Sequence, residues 1–204
     1  MKLSDDARSL IIQFEVGGGK PYYDRFLEAP TWPKGASGIT IGVGYDLGYN
    51  SPAQISQDWS ACLEKDVVSR LASCSGITGT AARDKIGLVH DIRIPWDAAL
   101  KVFEANTIAR YWALTLKAYP GVEALKPNCQ GALLSLVFNR GTSMKQSDPR
   151  RDEMRAIQPL VKKVDYAGIA DQIRNMKRIW IGTENEKGMS RRRDAEADLV
   201  MTCA

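Results

Sequence analysis

Glu15, Thr40 and Asp46 have the residue types and spacing of an acid-catalysed hydrolysis, and Asp24 offers a second carboxylate for the last position. Glu15 closes the amphipathic run Ala7, Leu10, Ile11, Phe14 and precedes Gly17-Gly18-Gly19. It lies four residues after Ile11, beside the apolar stripe and at the negative end of a helix, and both placements penalise its charge. Thr40 stands in Gly38-Ile39-Thr40-Ile41-Gly42-Val43-Gly44-Tyr45-Asp46-Leu47-Gly48. There Ile39, Ile41 and Val43 alternate with Thr40, Gly42 and Gly44, which sends the hydroxyl to the face opposite the aliphatic residues. A partly buried acid facing a hairpin with a hydroxyl and a second carboxylate meets the needs of glycoside hydrolysis. One carboxylic acid protonates the leaving oxygen, while the other carboxylate activates water or stabilises an oxocarbenium-like transition state.

The elements that must position these groups are legible from pattern. Ser4 is a good N-cap and Asp5 and Asp6 suit the positive end of the first helix dipole. From Lys20 to Asn50 the prolines Pro21, Pro30 and Pro33 and the glycines Gly35 and Gly38 predict turns and short strands. Ser51-Pro52-Ala53-Gln54 reads as a capping box with proline at the first helical position, opening a helix through Ile55, Trp59, Leu63, Val67 and Leu71. Helical periodicity predicts further helices over 96 to 118, 128 to 140 and 165 to 181, the last with the stripe Ile169, Ile173, Met176, Trp180. A final helix is expected from Ser190, with Arg191-Arg192-Arg193 in its first turn and Arg192 paired to Glu196. Bases there oppose the helix dipole, which asks for an anionic partner. Such a run is otherwise most often a solvated face.

Composition removes several classes. A chain of 204 residues buries a core without metal or disulfide staples. The apolar run Gly131 to Phe138 is far short of a bilayer span, so no membrane span is expected. The start Met1-Lys2-Leu3-Ser4-Asp5-Asp6 lacks the basic then apolar order of a Sec signal. Cys62, Cys74, Cys129 and Cys203 are widely separated, and His90 is the lone histidine, so no metal site and no Cys/His nucleophile pair is expected. Gly42-Val43-Gly44 fails as a dinucleotide loop because Leu47 occupies the next required glycine position. The net charge is +4, and residues 140–204, with 14 basic and 10 acidic side chains, hold all of the excess. Such a surface suits an anionic polymer.

These motifs resemble the phage-type lysozyme family, which spans the endolysins of T-even phages and the pesticin-like muramidase domains. Glu15 and Thr40 match the helix-terminal Glu and the Thr of its T-I-G-x-G hairpin. Leu136-Val137-Phe138-Asn139-Arg140-Gly141 resembles its cleft-lining helix end, and Gly188-Met189-Ser190-Arg191-Arg192-Arg193-Asp194-Ala195-Glu196 its C-terminal G-L-x-x-R-R-x-x-E signature. The third catalytic residue has two candidates. Asp24 lies nine residues after Glu15, as in the T-even enzymes; Asp46 lies six after Thr40, as in the pesticin arrangement, and is preferred because Arg25 to Ser37 lengthens the first alignment.

The resemblance implies a mostly helical α+β, lysozyme-like fold of one domain, with residues 1–50 forming a small lobe and 51–204 a helical lobe. It implies a muramidase without cofactor, cleaving the β-1,4 bond between N-acetylmuramic acid and N-acetylglucosamine. Asn139, Arg140, Tyr45 and Arg192 would bind substrate, and Arg192 would reach toward Glu15. The expected partner is bacterial peptidoglycan, not nucleic acid, joined by an immunity or inhibitor protein in an antibacterial setting. The enzyme would be made in the cytoplasm and act in the periplasm or wall of a target bacterium, as a phage endolysin or a toxin effector. A lytic transglycosylase using Glu15 alone, or a non-catalytic wall-binding module, are the alternatives.

Overall fold

The computed structural model describes residues 3–17 and 19–204; Gly18 of the expected glycine break lies outside them. The architecture is mostly helical α+β, 67% helix with one small antiparallel sheet. Two compact units divide the chain. One is continuous, Glu15–Ala109; the other joins the residues up to Phe14 with Arg110–Ala204.

Helix α1 (Asp5–Val16) begins as its sequence dictates, with Ser4 Oγ accepting from the Ala7 amide at 3.2 Å. It ends at Gly17, whose φ of +67° is the left-handed stop that glycine adopts without strain. The turns expected after it are replaced by a helix, α2 (Gly19–Phe26). Pro21 falls in the first turn, where no intrahelical N–H is required, so it opens this helix instead of breaking it. The reward lies outside the segment. Tyr23 is fully buried, donates to the Ile94 carbonyl at 2.8 Å and packs on Trp96 with ring centroids 4.9 Å apart.

The sheet pairs β1 (Thr40–Ile41) with β2 (Tyr45–Asp46), with Thr40 opposite Asp46 and Ile41 opposite Tyr45. Ile39, Ile41 and Val43 are buried and Thr40 is half-buried, as the alternation requires. The expected 51–71 helix is two helices, α3 (Pro52–Trp59) and α4 (Lys65–Ala72). Ser51 caps α3 by accepting from the Gln54 amide. The break follows Trp59, whose carbonyl accepts from both Cys62 and Leu63 in a tightened turn. After α5 (Gly79–Lys85), α6 (Trp96–Val102) runs through a π-helical stretch, Phe103–Ile108, into α7 (Ala109–Ala118), so the 96–118 helix is continuous but locally underwound.

In the other unit α8 (Pro127–Arg140) is the buried axis, with every residue from Gly131 to Val137 out of solvent. α9 (Asp152–Lys163) tolerates Pro159 in its interior. α10 (Tyr166–Asn175) and the 3₁₀ turn after it bury Ile169, Ile173, Met176 and Trp180. α11 (Glu186–Met201) packs on α8 and α10 and begins a turn earlier than Ser190. The arginine run therefore lies beyond the first turn, where the dipole argument does not apply. All four cysteines are free thiols, and among the described residues no helix is long and apolar enough to cross a membrane.

Helices α1 and α8 approach closely at Gly131. A Cβ built on Gly131 would lie 2.1 Å from the Ala7 Cβ. Gly131→Ala is expected to force the two helices apart and to lower stability by about 1–3 kcal/mol in urea denaturation, despite the gain in helix propensity. An unchanged or raised midpoint would show that the contact does not set their spacing.

Candidate active site

The continuous unit holds five of the candidate residues. Glu15 occupies the last turn of α1, half-buried between Ile11 and Val16 of the core. Thr40 exchanges both backbone hydrogen bonds with Thr31, N to O at 2.7 Å and O from N at 2.9 Å. Its pairing with Asp46 is thus of the kind that lacks direct backbone bonds, in which facing side chains come closest, about 4.5–5.5 Å between Cβ atoms. Hydroxyl and carboxylate share one face of the hairpin.

Asp46 is held from both sides. One carboxylate oxygen accepts from the Gly38 amide at 3.0 Å and the other from the Gly48 amide at 2.8 Å, capping the 3₁₀ turn Leu47–Tyr49. The two glycines are required by contact. A Cβ on Gly38 would stand 2.3 Å from an Asp46 oxygen, and one on Gly48 would stand 2.6 Å from the Ile77 carbonyl. Each carboxylate oxygen keeps one lone-pair direction, and the residue remains half-exposed. Asp24 is placed differently, on the solvent side of α2, where Lys20 Nζ pairs with it at 2.6 Å. Tyr45 is buried edge-on against Trp59 and donates to Asp58 at 2.8 Å, and Gln54 donates to the other Asp58 oxygen. Its ring is 7% exposed, which leaves a polymer little to touch. An open cleft of about 400 Å³ in the same unit, with Glu64, Arg70, Asp91 and Arg93 among its lining residues, contains none of the candidates.

The remaining three belong to the discontinuous unit. Arg192 is 5% exposed, so the expectation of a solvated arginine face fails for it and for Arg193, which is 0% exposed; Arg191 alone of the three is exposed. Arg192 donates to Glu196 at 3.1 Å and to the Ser135 carbonyl and hydroxyl at 3.2 and 3.1 Å, with its guanidinium 5.4 Å from the Phe14 ring centroid. Asn139 is exposed at the end of α8, with its side-chain oxygen accepting from Arg193 at 3.2 Å. Arg140 is half-buried, donates to the Arg150 carbonyl and lies 5.1 Å from the Trp180 ring centroid. Burial, with Arg151, Arg150 and Arg193 close by, pulls its guanidinium down to about 10. Burial likewise lowers Arg193, against the attraction of Glu196.

Pattern alone did not single out Glu196, Arg193, Tyr119 and Trp180 as members of one buried polar group. One signal was present: Arg193, Glu196, Ala197 and Val200 fall on a single helical stripe whose other members are apolar. Among the described residues no group of three or more His, Cys, Asp or Glu side chains is arranged to hold a metal ion.

The chain belongs to a family described as a domain of unknown function, DUF8812, whose model matches residues 11–193. No curated protein matches the sequence.

Asp46→Asn replaces an acceptor oxygen with a donor amide facing a backbone N–H. It is expected to cost about 1–3 kcal/mol in chemical denaturation, because a buried N–H loses its partner. Gly38→Ala should do the same through steric overlap. A wild-type midpoint in both variants would show that the carboxylate is not the anchor of the hairpin.

Proposed function

We propose that this protein is a peptidoglycan hydrolase, a muramidase cleaving between N-acetylmuramic acid and N-acetylglucosamine. The observation that carries the reading is the pairing of Thr40 with Asp46 across a glycine-rich hairpin, in the same compact unit as the half-buried Glu15. Glu15 donates its proton to the glycosidic oxygen as the bond to the anomeric carbon breaks. Asp46, fixed by two backbone amides, and Thr40 beside it hold a water on the opposite face of the sugar, and Asp46 takes the proton of that water as it attacks. The course is inverting and calls for about 6.5–9.5 Å between the two carboxyl groups. Asn139 contacts the wall polymer, and the basic residues of 140–204 favour its anionic surface. The setting is that of a phage endolysin or an antibacterial effector, the latter met by an immunity or inhibitor protein, acting in the periplasm or wall of the target cell.

A second reading draws on the contacts of the aspartates. Both Asp46 oxygens already serve the hairpin and Asp24 is taken up by Lys20, which favours a lytic transglycosylase that works with Glu15 alone. Its products carry 1,6-anhydro ends.

Clearing of purified peptidoglycan, followed by mass analysis of the fragments, tests both. The muramidase predicts reducing ends, a loss of about 10²–10⁴-fold in Glu15→Gln, and a comparable loss in Asp46→Asn with Asp24→Asn near wild type. Anhydro ends with both Asp variants active would establish the transglycosylase instead. An inert wild type, or an active Glu15→Gln, would refute the assignment of the acid.

A further inference from the structure

The discontinuous unit contains a buried group of hydrogen-bond donors that the protein's own acceptors do not satisfy. Tyr119 and Arg193 are 0% exposed. The Tyr119 hydroxyl, the Nε atoms of Arg140 and Arg151, and both Nε and Nη1 of Arg193 are buried without a hydrogen-bond partner. Arg151 Nε lies 3.6 Å from an Asp148 oxygen, an ion-pair distance too long for a hydrogen bond. These residues form one neighbourhood. Arg140 and Arg193 lie 5.1 and 5.8 Å from the same Trp180 ring centroid, Arg151 donates to the Arg140 carbonyl at 2.6 Å, and the charges of Arg193, Glu196, Arg151 and Arg140 all act on the Tyr119 phenol, three of them positive.

Stacking over Trp180 uses the face of each guanidinium and leaves its in-plane N–H groups to be met by acceptors. The nearby carboxylates offer too few: one buried oxygen, Glu196 Oε2, stands against five unmet donor atoms. Glu196 Oε1 is divided among Ser135, Arg192 and Arg193, Glu196 Oε2 remains as one buried acceptor without a hydrogen bond, at ion-pair distance (3.0 Å) from Arg193 Nη2, and one Asp148 oxygen accepts from the Arg150 amide. Three guanidinium groups and a phenol thus leave donors and positive charge in excess in a region of low dielectric. Water accepts hydrogen bonds but carries no charge, whereas an anion answers both deficits.

We propose that Tyr119, Arg140, Arg151 and Arg193 bind a small monovalent anion of halide size inside this unit. The lack of exposure of Tyr119 and Arg193 disfavours a large oxyanion. The site is independent of the hydrolase reading and implies that chloride stabilises the fold by a saturable term rather than by screening.

Thermal unfolding of the full chain at constant ionic strength, with sodium gluconate replaced stepwise by sodium chloride, reads this directly. Tm is expected to rise hyperbolically with chloride, and Tyr119→Phe to raise the half-saturating concentration about tenfold through loss of one hydrogen bond to the ion. Crystals soaked in bromide should show an anomalous peak within hydrogen-bonding distance of Tyr119 Oη and Arg193 Nη1. Tm values that follow ionic strength alone overturn the proposal. So does a Tyr119→Phe protein that is as stable as wild type or more stable at every chloride concentration, the outcome for removing an unmet hydroxyl. Water without bromide at that position overturns it as well.

Discussion

A single carboxylate with no exposure ties the discontinuous unit together. Glu196 accepts from Ser135 of α8 at 2.6 Å and from Arg192 and Arg193 of its own helix at 3.1 and 3.0 Å, so the two central helices meet through a charge removed from water. Removing one partner of such a group strands the others, at a cost of about 3–5 kcal/mol. Ser135, Ala132 and Ala197, small and fully buried on these two helices, leave room for such an approach.

The hairpin repeats the arrangement on a smaller scale. Asp46 gathers the amides of Gly38 and Gly48, segments that are separate in sequence, and the glycines permit the approach because they have no Cβ to intervene. The rigid loop that results holds Thr40 and Asp46 side by side at a fixed spacing. Under the proposed hydrolase reading, groups so placed would lose little entropy on binding substrate.

What was legible in the sequence is what is decided locally. The Ser4 and Ser51 caps, the alternation around Thr40, and the apolar stripes of α8 and α10 need only neighbours within a turn or two, and the structure agrees with each. The misreadings arose where distant contacts decide. Pro21 signals a break until Tyr23 finds Ile94 and Trp96, more than seventy residues away. The arginine run reads as a surface feature until Ser135, Glu196 and Trp180 surround it. Spacing already favours Asp46 over Asp24, and what it could not show is the pair of amides that holds one and the lysine that takes up the other.

The division of the chain bears on how the molecule is made. The residues up to Phe14 pack with Arg110–Ala204, whereas Glu15–Ala109 is unbroken. On a ribosome, the middle of the chain emerges with all of its own contacts available, while the amphipathic start of α1 must wait for α8 to be synthesised. Its apolar stripe stays uncovered through that interval, and closing so long a loop is entropically slow. The opening helix therefore carries its apolar stripe uncovered until α8 has been made, a surface open to wrong partners in the meantime.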